Sequence, residues 1–170
     1  MADLVVTLPE RELAEAVGER PGVRLAVWDL RGLPDVAGEA EVVVPPYQYA
    51  APRFPVLAKV PRLRLVQTLT AGYDDVLPHL PDGVALANAE GVHDASTSEL
   101  AVALARAALR GIPDYVRDAE RGRWQAQRRR ALADRRVLVV GYGGVGRGVA
   151  ARMAPFETSI TAVASRARST

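Results

Sequence analysis

The sequence predicts an α/β protein, and three observations carry that prediction. Short apolar runs rich in β-branched residues alternate with stretches of helical periodicity. Pro, Gly and Asp punctuate the junctions. Near the carboxy-terminal end an apolar strand runs into Gly141-Tyr142-Gly143-Gly144-Val145-Gly146. Several strands joined by crossovers imply a parallel sheet with both faces covered.

Taken in order, Leu4-Val5-Val6-Thr7-Leu8 reads as the first strand, and Glu10 to Val17 as a helix whose Leu13, Ala14 and Val17 share one face. Further strands are expected at Arg24-Leu25-Ala26-Val27-Trp28, Glu41-Val42-Val43-Val44, Leu63-Arg64-Leu65-Val66-Gln67-Thr68 and Val84-Ala85-Leu86-Ala87. Ser96-Thr97-Ser98-Glu99 fits the Ser-x-x-Glu capping box, which predicts a helix from Ser96 through Leu109, closed by the basic, glycine and proline signals of Arg110-Gly111-Ile112-Pro113. That helix is apolar almost all round, so it is expected to be buried, at the seam between domains 1–98 and 99–170. A second helix is expected from Pro113 to about Gln127, with Tyr115, Val116 and Ala119 turned inward, before the run Arg128-Arg129-Arg130. A strand at Val137 to Val140, the glycine loop, a helix carrying Val149, Ala150 and Met153, and a strand at Ile160 to Val163 complete a βαβ unit.

Composition narrows the chemistry. The 170 residues are 49% hydrophobic, enough for a packed core, and contain no Cys, which removes disulfides, thiolate metal sites and thiol catalysis. Two His and no Cys also make a poor metal-ligand set, so no metal is expected. No apolar run is long enough to span a bilayer, and Met1-Ala2-Asp3 lacks the basic start of a secretion signal, so no membrane partner and a cytoplasmic location are expected. The net charge of +2 hides an asymmetry: residues 1–100 carry 8 basic and 15 acidic side chains, residues 101–170 carry 14 and 5. The basic part suits an anionic partner. Nucleic acid is the weaker choice, because Trp124 is the one aromatic near the arginine run and no nucleic-acid fold pattern accompanies it.

The glycine loop points instead to a dinucleotide. Gly141 permits a tight turn, Gly143 lets backbone approach a pyrophosphate, and Gly146 allows the helix to pack closely, while the amides of Gly144 and Val145 at the helix N-terminus face the phosphates. Proteins that prefer NAD place Asp or Glu at the end of the following strand to hold the ribose 2′-hydroxyl. This chain has Ala164-Ser165-Arg166, and Ser165, Arg166 and Arg168 could instead bond a 2′-phosphate, so NADP(H) is the expected cofactor, with NAD(H) the alternative.

Taken together, Leu69-Thr70-Ala71-Gly72-Tyr73-Asp74-Asp75, Asn88-Ala89-Glu90-Gly91-Val92-His93, Ser96-Thr97-Ser98-Glu99-Leu100-Ala101, Gly122-Arg123-Trp124 and the glycine loop resemble the D-isomer-specific 2-hydroxyacid dehydrogenases in order and spacing. The resemblance implies a flavodoxin-like parallel-sheet substrate domain followed by the first part of a Rossmann dinucleotide-binding domain. It implies hydride transfer between a nicotinamide and C2 of a 2-oxo acid, in a homodimer. The Thr70-Ala71-Gly72 turn matches the carboxylate-binding loop of that family, making the amides of Ala71 and Gly72 the substrate anion site, while Thr97 approaches the nicotinamide side. The plainer readings are a Gly72 that only permits a turn and a Thr97 that only serves a helix cap.

The resemblance also implies that the catalytic Arg, Glu and His of the family lie beyond the second strand of the nucleotide domain, past Thr170. No residue of this chain is therefore assigned a catalytic role: His79 and His93 do not match the catalytic position, and Glu99 is a capping residue first. The expectation is a truncated chain, inactive alone. A noncatalytic pyridine-nucleotide-binding or assembly module is the competing reading.

Overall fold

A computed structural model describes residues 3–48 and 50–166, and the chain divides into two compact units, Met1–Glu90 and Gly91–Thr170. The sequence places a domain boundary between 98 and 99, which lies inside a helix that belongs wholly to the second unit.

In the first unit, β1 (Leu4–Leu8), β2 (Val23–Val27), β3 (Val42–Val43), β4 (Leu65–Gln67) and β5 (Ala85–Ala87) form one sheet in the order β2-β1-β3-β4-β5. Every pairing is parallel. This is the flavodoxin-like strand order. Helix α1 (Arg11–Val17) supplies the first crossover. The later crossovers carry 3-10 segments at Asp35–Gly38, Ala51–Lys59 and Leu77–His79. In the longest of these, Pro55 lies inside the segment and lacks the N–H that an α-helical ladder needs. The sheet buries Val43 and Val66, each fully inaccessible, in a cluster with Phe54 and Leu57 from the longest segment, Val76 just before the last, and Trp28 and Leu63. The apolar alternation in the sequence marks these strands, although β3 and β4 are shorter than their apolar runs.

In the second unit, α2 (Asp94–Arg110) and α3 (Ile112–Glu120) precede β6 (Arg136–Val140), α4 (Gly144–Met153) and β7 (Ser159–Val163), and β6 and β7 pair in parallel over five positions. This is the expected βαβ unit. Val102, Leu132 and Met153 form its core, with Ala105, Leu109, Val149, Phe156 and Ile160 packed around them.

Three expectations about helices are corrected. The capping box does not form: α2 starts at Asp94, its N-cap is His93, and Ser96 Oγ donates to the His93 carbonyl at 3.3 Å. Gly91, at φ +88°, turns the chain so that the Asp94 amide reaches the Gly91 carbonyl, starting the helix ahead of Ser96. Nor is α2 buried all round, since it hides Ser98 and Val102 while Leu100 and Leu104 are 58% and 60% exposed. Helix α3 stops at Glu120, well short of Gln127, with Tyr115, Val116 and Ala119 exposed and Asp118 as its buried residue. Arg123 donates to Asp118 at 2.7 Å, folding the following turn back over the helix and ending it. Among the described residues no helix is long and apolar enough to cross a membrane.

Candidate functional site

Two sites take shape, one in each unit. In the first, β3 and β4 end at the same edge of the parallel sheet, and ligands of such folds bind beyond the carboxyl ends of the strands. A pocket of about 610 Å³ opens there, lined among others by Pro45, Tyr47, Phe54, Thr68, Thr70 and Gly72. Asp74 and Asp75 line it as well, so an anion must be held by donors placed well enough to outweigh two nearby carboxylates.

The hydrogen bonding of the loop supplies such donors. Asn88 Nδ2 donates to the Ala71 carbonyl at 2.7 Å, while the Thr70 carbonyl accepts from the Ala89 amide at 3.0 Å and from Thr68 Oγ1 at 2.9 Å. Thr70 Oγ1 in turn donates to the Gly72 carbonyl at 2.6 Å. A trans peptide holds its N–H opposite its C=O, so fixing the carbonyls of Thr70 and Ala71 fixes the amides of Ala71 and Gly72 on the other side. Those two amides donate to no partner among the described residues, and both residues are exposed. Paired free amides on a tethered loop are chemically able to receive an anion without a cationic side chain. Thr68, Thr70 and Asn88 are the residues that sequence reasoning did not assign. The signal for them was the threonine spacing around the turn, but only the return of β5 beside β4 brings Asn88 within reach.

In the second unit, the loop between β6 and α4 carries the glycines. Gly141 has φ +92°, which a side chain rarely tolerates, and its amide donates to the Val163 carbonyl at 2.8 Å, tying the turn to the end of β7. A Cβ at Gly146 would run into the Gly141 carbonyl oxygen, with the carbonyl carbon at 3.0 Å and Val139 Cγ1 at 3.4 Å. Gly143, by contrast, has open space around its Cβ position, and it is the N-cap of α4, without a side-chain cap. The amides of Gly144, Val145 and Gly146 donate to nothing among the described residues. Unpartnered first-turn amides, the positive end of the helix and an open approach at Gly143 fit a pyrophosphate. Gly146 fits the packing role expected of it.

Ser165 and Arg166 lie just past β7, after Ala164, and are both exposed, while Arg168 lies outside the described residues. Thr97 is exposed in the first turn of α2, where its amide donates to the His93 carbonyl at 2.9 Å. His93 is the half-buried N-cap of that helix, and His79 is half-buried beside Phe54, with ring centroids 6.3 Å apart. Glu99 is exposed on α2 and makes no cap bond there.

Comparison with known proteins relates the chain to dehydrogenases. Residues 102–170 match the model of the D-isomer specific 2-hydroxyacid dehydrogenase, NAD binding domain. A curated relative, D-3-phosphoglycerate dehydrogenase of Archaeoglobus fulgidus, is 31% identical over 111 residues, covering 63% of this chain and 21% of the relative. A D-isomer specific 2-hydroxyacid dehydrogenase family protein from Aeromonas salmonicida superposes with a TM-score of 0.80 at 24% identity, covering 99% of this chain and 56% of that one. The D-isomer specific 2-hydroxyacid dehydrogenase from Xanthobacter autotrophicus, solved with NADPH and MES, gives 0.70 at 22% identity over 99% of this chain and 55% of its own. The chain thus spans about half the length of these solved structures and about a fifth of the curated relative. Its glycine loop lies within the segment that matches the NAD binding domain model, and its fold is shared with the solved structures over nearly its whole length.

Proposed function

We propose that this chain supplies two parts of an NADP(H)-preferring 2-hydroxyacid dehydrogenase that interconverts 2-oxo and D-2-hydroxy acids. The carboxylate of the acid is received by the amides of Ala71 and Gly72 in the first unit. The dinucleotide is received by Gly141, Gly143, Gly144, Val145 and Gly146 in the second, with Thr97 toward its nicotinamide end. When bound, the cofactor supplies or accepts the hydride. The residues of this chain bind and orient: the tethered amides hold the acid by its carboxylate, and the first turn of α4 offers its dipole to the phosphates. The observation that carries the reading is the set of unpartnered amides on α4 beside the close Gly141–Gly146 packing.

Preference for NADP(H) rests on Ser165, Arg166 and Arg168, since no carboxylate stands at the end of β7 to repel a 2′-phosphate and Arg166 makes no ion pair among the described residues. We assign no general acid within the 170 residues. His79 is packed beside Phe54, and His93 serves as the N-cap of α2. A polypeptide of these residues alone therefore binds cofactor without turning over. A homodimer of the complete enzyme is supported by the exposed apolar residues Leu100 and Leu104 on α2 and by Trp124, 93% exposed in the turn after α3.

The test is titration of the purified chain with NADPH and NADH, alongside Arg166→Ala, followed by turnover assays with glyoxylate and hydroxypyruvate. Binding that favours NADPH and weakens in Arg166→Ala, without turnover, is expected. Equal affinity for both nucleotides in the two proteins overturns the preference, and measurable reduction of either acid overturns the assignment of no general acid. Absence of any binding overturns the dinucleotide site.

A further inference from the structure

Asp94 has no part in the site as described, yet its position against the dinucleotide loop is unusual. It is the first residue of α2, and α2 packs along α4 within the second unit. A Cβ built on Gly144, the first helical residue of α4, would fall on the Asp94 carboxylate, with Oδ1 2.7 Å away. One turn further along both helices the contact repeats, with Ser98 Oγ 2.8 Å and Ser98 Cβ 3.0 Å from the Cβ position of Gly148. Glycine at both positions is what lets the two helices approach so closely, and the space a side chain at 144 would fill is taken by a carboxylate.

That carboxylate makes no hydrogen bond or ion pair among the described residues. Helix α4 has neither an acidic residue in its first turn nor a side-chain cap, so Asp94 is the negative group beside its positive end. In the free protein this arrangement stabilises the helix terminus. A pyrophosphate arriving at the same terminus meets a like charge that is already there.

We propose that Asp94 sets the affinity of the dinucleotide loop by acting as a resident counter-charge at α4, stabilising the empty loop and weakening its hold on diphosphates. This rests on the reading of Gly141–Gly146 as a pyrophosphate site and adds to it a residue outside the glycine motif. The role is one of electrostatic positioning. Asp94 takes no part in hydride transfer.

The experiment titrates the full 170-residue chain, its Asp94→Asn variant and its Asp94→Ser variant with NADPH and with ADP-ribose by calorimetry, at low and at high salt. Thermal unfolding of each free protein is followed in parallel. Both variants are expected to bind about three- to tenfold more tightly than the parent at low salt, with the gap narrowing at high salt. Their unliganded melting temperatures should fall slightly, since a favourable helix-terminus charge is lost. ADP-ribose should show the same gain as NADPH, because it carries the pyrophosphate without the nicotinamide. Parent binding with unchanged or weaker binding in both folded variants overturns the proposal and leaves the dinucleotide site standing. A gain that persists undiminished at high salt also overturns it, because the effect is then packing rather than charge. If parent and variants alike bind neither ligand, the dinucleotide site falls and this proposal with it.

Discussion

Replacing Gly143 with Ala separates the free protein from its liganded form. The Cβ position at Gly143 has nothing within 4 Å, and its backbone lies at φ −80°, ψ −161°, a conformation open to any L-residue. The added methyl therefore meets no protein atom. The remaining penalty is that Ala caps a helix less well than Gly, about 0.5–1 kcal/mol, or a few degrees in Tm for a chain this long. A pyrophosphate drawn against the first turn of α4 must come close to this backbone, however, and a methyl there displaces it. A misfit of that kind costs about 1–3 kcal/mol, which is about 5- to 150-fold in Kd. Calorimetric titration with NADPH, set beside a melting curve of the unliganded variant, reads both quantities on one sample. A Gly143→Ala protein that binds NADPH with the parent's affinity would falsify the placement of the phosphates at Gly143. One that unfolds far below the parent would show that the space around Gly143 is not open.

The companion change, Gly146→Ala, should lose both stability and binding, because its methyl meets the Gly141 carbonyl and backbone cannot rotate away; overpacking of this kind costs about 1–3 kcal/mol and is measured by denaturant unfolding. Asn88→Ala should weaken binding of a small dicarboxylate such as oxalate at Ala71 and Gly72 by about 2- to 12-fold, from a lost hydrogen bond of about 0.5–1.5 kcal/mol, while leaving NADPH affinity unchanged. Arg123→Ala leaves Asp118, 8% exposed, without its 2.7 Å partner and should cost about 1–2 kcal/mol, a discounted figure because Arg123 is half exposed; an unchanged urea midpoint would show that the ion pair does not hold the turn after α3. Gly111→Ala puts a methyl against the Arg129 guanidinium at a φ of +65° and should cost about 1–3 kcal/mol by thermal unfolding, from left-handed strain and the displaced stacking of Arg129 on Tyr115.

Much of the fold is legible in the sequence because its causes are local. Val137 to Val140 followed by glycines at three spaced positions specifies a strand, a turn and a helix whose chemistry needs few distant partners, and β6, α4 and β7 lie where that pattern puts them. The helix ends are less legible. Ser96 and Glu99 have the spacing of a cap, but the positive φ of Gly91 starts α2 earlier and leaves both within the helix, where Ser96 Oγ donates to the His93 carbonyl and Glu99 is exposed. The run after Glu120 has helical composition, yet the Arg123–Asp118 bond turns the chain back first.

The sequence by itself determined the α/β class, the approximate strand positions and the glycine turn between β6 and α4, since periodicity, turn residues and glycine freedom act over a few neighbouring positions. Tertiary structure decided what those segments can hold. Ala71 and Gly72 face their amides outward because Asn88 and Ala89, brought alongside by β5, take the carbonyls that a free loop would leave to water. Asp94 bears on the glycine loop because α2 packs against α4, and the three glycines of the motif carry no trace of it. Orientation of a peptide group and the charge beside it depend on residues distant in the chain, and those meet only when the elements pack.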